Sequence, residues 1–116
     1  MSRKKGLLAE DLACIYLKNM SYEIVGRNFC CRFGEIDVIA FKEGVLHFIE
    51  VKQRRMGDPA LTITPVKLEK LSKSIGIYFQ KHPQHVPYPY CLDALLIYGS
   101  LQNHTIEWIE NLSALS

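Results

Sequence analysis

The sequence predicts an α/β fold: a mixed central sheet of about five strands with helices on both faces. Three observations lead there. Apolar periodicity reads in the order helix, three strands, helix, two strands. The second and third strands are apolar on both faces, the pattern of strands covered on both sides. And 116 residues with 48% apolar and 22% charged content make one ordinary globular domain, large enough to need no disulfide staples.

The elements follow in order. Residues 4–20 predict a helix, since Leu8, Leu12, Ile15 and Tyr16 recur at helical spacing beside Ala9, Ala13, Leu17 and Met20. Residues 22–28 predict a short strand and 31–34 a loop. Strands at 35–41 and 46–52 flank Lys42–Glu43–Gly44, whose turn glycine makes them a hairpin. Thr64–Pro65, a capping hydroxyl before a first-turn proline, starts a second helix. Leu68, Leu71, Ile75 and Phe79 line one of its faces, and His82–Pro83 ends it. Residues 82–89 hold three prolines and read as a loop. An apolar strand at 90–98 and a short one at 105–109 complete the chain.

Composition excludes several classes. The longest unbroken apolar run is six residues, Leu12 to Leu17, where a membrane-spanning helix needs about 20. Arg3, Lys4 and Lys5 resemble the start of a signal peptide, but Glu10 and Asp11 interrupt the apolar stretch that should follow. Cys14, Cys30, Cys31 and Cys91 form no CxxC pair and no zinc-type spacing; they read as reduced thiols of a cytoplasmic protein. Residues 1–81 hold fourteen basic and nine acidic residues, a net of +5, while the remainder carries a net of −3. Positive charge gathered around Lys52, Arg54, Arg55, Lys67, Lys70 and Lys73 suits a polyanion, although a solvated surface looks the same by charge alone.

The hairpin carries the chemistry. Glu50 and Lys52 are two apart and project from one face of their strand. In a register where Asp37 faces Glu50, Ile39 faces Phe48, Phe41 faces Leu46 and Glu35 faces Lys52. Two adjacent carboxylates repel unless a cation lies between them, and hard oxygen ligands favour magnesium or manganese. A rim salt bridge uses the same residue types. Against that reading stand the apolar neighbours, the excess of carboxylate over lysine, and the basic Gln53–Arg54–Arg55 that follows. His47 points away from Glu50 and reads as a packed core histidine. Asp93 reads as a structural hydrogen-bonder, and Tyr88 and Tyr90 as packing residues.

Gly34–Glu35–Ile36–Asp37 followed by Glu50–Val51–Lys52 resembles the PD-(D/E)XK nuclease signature. With Gly6–Leu7–Leu8–Ala9–Glu10, Asn28, Arg54, Thr64–Pro65, Lys67 and Leu92–Asp93, the whole chain resembles the YraN-like family of uncharacterised bacterial proteins, similar to archaeal Holliday junction resolvases. That resemblance implies a restriction-endonuclease-like sheet and a divalent-metal-dependent nuclease acting on DNA, branched or junction DNA included. It implies that Asp37, Glu50, Glu10 and the backbone carbonyl of Val51 hold Mg2+ or Mn2+, and that Lys52 orients the attacking water. Arg54 and Lys67 would contact the nucleic-acid backbone, with Arg55 and Lys70 beside them, and a homodimer would match a two-fold substrate. The chain departs from the family where Cys30 and Cys91 replace basic residues and Leu68 replaces a glutamine. A non-cleaving nucleic-acid binder, and an interaction protein with a degenerate site, are the alternatives to the nuclease.

Overall fold

A computed structural model describes residues 2–112, with side chains from Leu8 onward; the side chains of Arg3, Lys4 and Lys5 lie outside the described residues. The elements run α1 (Ser2–Asn19), β1 (Glu23–Cys31), β2 (Gly34–Lys42), β3 (Val45–Arg54), α2 (Pro65–Lys81), β4 (Tyr90–Gly99) and β5 (His104–Ile109). Single turns of 3-10 helix at Pro59–Thr62 and Pro83–His85 interrupt the two long loops. The strands form one five-stranded sheet in the order β1-β2-β3-β4-β5. Only β3 and β4 pair in parallel, because the connection between them is the crossover through α2.

Local chemistry sets these boundaries. Thr64 caps α2: its hydroxyl accepts the Lys67 N–H at 3.2 Å, and Pro65 supplies the fixed φ of a first turn. The β2–β3 hairpin closes on Glu43 and Gly44 with φ of 52° and 81°, both in the left-handed region that matches the twist of a two-residue turn. That turn fixes the register: Lys42 pairs with Val45, Phe41 with Leu46 and Ile39 with Phe48. β1 reaches Cys31, past its expected end at residue 28, because Cys30 and Cys31 pair with Glu35 and Gly34 across the Arg32–Phe33 turn.

Each face of the sheet has its own core. Ala13, Cys14 and Leu17 of α1 pack on Val38, Ala40, Ile49, Val51, Leu95 and Ile97. Leu71, Ile75 and Tyr78 of α2 pack on Ile36, Phe48, Leu92, Ala94 and Leu96 of the other face. Residues on β3 and β4 are therefore buried from both sides, as apolar residues on both faces of each strand require. At about 25 cal/mol per Å2, burying each large side chain stabilises the fold by about 1.5–3 kcal/mol.

Candidate functional site

Strand β2 changes its packing face at one residue. Ile36 packs on the α2 side, whereas Val38, two residues on, packs on the α1 side. Strict alternation would put both on the same face. The break falls at Asp37, between the pairs Phe29/Ile36 and Arg27/Val38, across from Asn28 at φ 55°. On its other side β2 leaves β3: the register ends at Val38/Ile49. The Asp37–Glu50 and Glu35–Lys52 pairs expected from the hairpin do not form. Instead the Val51 N–H donates to Asp37 Oδ2 at 2.8 Å, so the carboxylate occupies the opening between the strands.

That opening gathers charge from both layers. Toward α1, carboxylate oxygens of Glu10, Glu35 and Asp37 lie within 4.8 Å of one another. Toward α2, Glu50 is 2% exposed, and its Oε1 sits 3.2 Å from both Lys52 Nζ and Lys67 Nζ. A cavity of about 310 Å3 is lined there by Glu35, Asp37, Glu50, Lys52, Lys67 and Lys70, among others. Burial, and then the neighbouring Glu50, push the Asp37 carboxyl up to about 7. Burial followed by Glu35 also raises Glu10, while Asn28 and Arg27 pull it back. Burial lowers Lys67, but the Glu50 carboxylate outweighs it and leaves the ammonium raised.

The sequence-selected residues divide accordingly. Asp37, Glu50, Lys52, Lys67 and Lys70 line one cavity, while Glu10 meets Asp37 from the α1 side and does not line it. Val51 meets Asp37 through its amide. Arg54 is exposed at the end of β3, and Arg55 lines a separate shallow hollow with Gln53, Ser100, Leu101 and Gln102. Glu35, expected to bridge to Lys52, lies against Glu10 and Asp37 instead, because the strands have parted before that pair is reached. Leu71 and Ser74 also line the cavity. Their spacing from Lys67, at i+4 and i+7 of a capped helix, was the signal for them.

Oxygen donors suit the opening to a hard cation. Glu50 Oε2 is buried with no hydrogen-bond partner, an expensive arrangement that a cation would relieve, and Glu10 Oε1, also without a hydrogen bond, has only the Arg27 guanidinium at 3.9 Å. The carboxylates Asp37, Glu50 and Glu10 fit magnesium or manganese by chemistry and number.

The remaining candidates take no part in the carboxylate–lysine cluster. No disulfide joins the four cysteines. Cys31 donates to Ser74 Oγ at 3.3 Å, and burial together with Asp93 pushes the Cys91 thiol up to about 12, far from a reactive thiolate. Tyr88 and Tyr90 set their rings against Phe41 and Phe79. Among the described residues no helix is long and apolar enough to cross a membrane.

Fold and site together define an α/β protein with a carboxylate–lysine cluster where two strands of its sheet separate, compatible with a restriction-endonuclease-like fold. A model of the uncharacterised protein family UPF0102 matches residues 9–97. The chain is 48% identical over 112 residues to a UPF0102 protein of Helicobacter hepaticus, covering 97% of this chain and 96% of that one. It is 49% identical over 112 residues to one from Helicobacter pylori strain Shi470, covering 96% and 92%. To one from Wolinella succinogenes it is 44% identical over 113 residues, covering 97% and 99%. The chain belongs to the UPF0102 family, the YraN-like family whose motifs its sequence carries.

Proposed function

We propose that this protein is a divalent-metal-dependent nuclease that hydrolyses phosphodiester bonds in DNA, branched or junction DNA included. One observation carries the reading: Asp37 and the buried Glu50 face one cavity, with two ammonium groups on one Glu50 oxygen and no partner on the other. A structural ion pair needs one lysine and leaves no buried oxygen orphaned.

In this reading Asp37, Glu50 and Glu10, with the Val51 carbonyl, hold Mg2+ or Mn2+. The ion supplies a Lewis acid and a bound water of lowered pKa. Lys52 holds the attacking water and places positive charge where the five-coordinate phosphorus gathers negative charge. Lys67 and Lys70 bring the cavity wall to the phosphate backbone, and Arg54 and Arg55 extend the contact along β3. Lys67 then exchanges Glu50 for a phosphate oxygen when substrate enters. A homodimer in the cytoplasm belongs to the same proposal.

The test is cleavage of single-stranded, duplex, flap and four-way DNA with magnesium or manganese. Product from wild type that disappears in Asp37→Asn and in Lys52→Ala supports the nuclease. Salt-sensitive binding without product in any substrate overturns it and favours a non-cleaving binder.

A further inference from the structure

On the face of β3 opposite Glu50, a second set of donors converges. His47 and Cys91 are direct partners in the parallel register of β3 and β4, and Asp93, two residues beyond Cys91, shares its side of the strand. His47 Nδ1 lies 2.6 Å from Asp93 Oδ2 and 3.1 Å from Cys91 Sγ, and the sulfur lies 3.7 Å from the same carboxylate oxygen. His47 and Asp93 are 7% and 0% exposed, while Cys91 is half-buried and opens the cluster to solvent on one side.

The geometry is convergent and not serial. A thiol–imidazole–carboxylate relay uses the two ring nitrogens in turn, one toward sulfur and one toward carboxylate. Here sulfur and carboxylate both approach Nδ1. Three unlike donor atoms around one point make a ligand set. Asp93 is oriented for it: its Oδ1 accepts the Asn111 N–H at 2.8 Å, leaving Oδ2 to face His47 and Cys91. Tyr22 and Trp108, in T-shaped contact with ring centroids 5.1 and 5.9 Å from that of His47, hold the imidazole in place.

We propose that His47, Cys91 and Asp93 form a zinc site, separate from the carboxylate opening and not dependent on the nuclease reading. Nitrogen, sulfur and oxygen donors together suit a borderline-soft ion and not magnesium. Zinc bonds of about 2.0–2.3 Å place ligand atoms about 3.3–3.7 Å apart in a tetrahedron. The Cys91–Asp93 separation already fits, and the other two open by less than about 1 Å through side-chain rotation. On binding, the thiol proton and the proton between His47 and Asp93 leave to solvent as the coordinate bonds form. Thiolate and carboxylate then balance the 2+ charge, as a buried site requires. Solvent completes the shell on the exposed side of Cys91.

Cobalt reports such a site by colour. Full-length protein stripped with chelator and titrated with Co2+ is expected to develop a thiolate-to-cobalt charge-transfer band and four-coordinate ligand-field bands that saturate at one ion per chain. Zinc should bleach them. Both should persist in Asp37→Asn and vanish in a folded Cys91→Ser. No charge-transfer band in wild type overturns the proposal, as does a band surviving in Cys91→Ser. Should that variant fail to fold, alkylation of wild type decides: zinc should cut labelling of Cys91 at least tenfold, and equal labelling with and without zinc overturns the site.

Discussion

Replacing Asp37 with asparagine should stabilise the metal-free protein at pH 8, the reverse of the usual outcome for a half-buried polar residue. Asparagine keeps an oxygen that can accept the Val51 N–H, so the 2.8 Å hydrogen bond survives. What disappears is a carboxylate held against Glu50 and Glu10. Its folded-state value of about 7, against an ordinary 3.8, is a raised carboxyl. The folded chain therefore binds the extra proton, and stability from this group is fully present below about pH 4 and lost as pH rises to about 7. Over that range the linkage amounts to at most about 4 kcal/mol, and screening by nearby lysines and water leaves about 1–4. In a domain of this size each kcal/mol moves the midpoint by about 3–5 °C. Thermal unfolding in chelator should thus show Asp37→Asn melting roughly 3–20 °C above wild type at pH 8, with the gap closing toward pH 4. A variant less stable than wild type at pH 8, or a gap independent of pH, would contradict a carboxyl raised by its carboxylate neighbours. Asp37 would then be a plain structural acceptor.

Glu50→Gln should act in the opposite direction. It leaves two ammonium groups facing one neutral oxygen and should lower stability by about 2–4 kcal/mol in urea unfolding at pH 8. Magnesium or manganese at a hundredfold excess over its dissociation constant should stabilise wild type by about 2.7 kcal/mol, and neither Asp37→Asn nor Glu50→Gln should respond equally. Phe48→Ala, which empties a fully buried ring site between α2 and the sheet, should cost about 3–5 kcal/mol without altering metal affinity. Thr64→Ala should cost about 1 kcal/mol through loss of the α2 cap.

What could be read in the sequence was local. The hairpin register down to Ile39/Phe48 is legible from the turn glycine and an apolar pattern that tolerates no slip. The α2 start followed from one capping hydroxyl and one proline. The types of Asp37, Glu50 and Lys52 make sense only near one another, whereas Glu10 joins them through the family resemblance alone. The register past Val38/Ile49 was not legible, since it depends on Asn28 turning the neighbouring strand and on a backbone N–H captured by Asp37. The alternation that pairs Glu35 with Lys52 accordingly fails, and Glu35 meets Glu10 and Asp37. The pairing of His47 with Cys91 was hidden for a different reason. It depends on the register of two parallel strands joined through a helix, and no turn residue encodes that. A spacing rule for zinc ligands looks for neighbours in sequence, and these are 44 residues apart.

The most direct test is a crystal soaked in manganese and measured for anomalous scattering. A peak bounded by Asp37, Glu50 and Val51, lost in Asp37→Asn, is the expected result. An empty map at that opening, at manganese concentrations that support any DNA cleavage, would contradict a cation-holding site there.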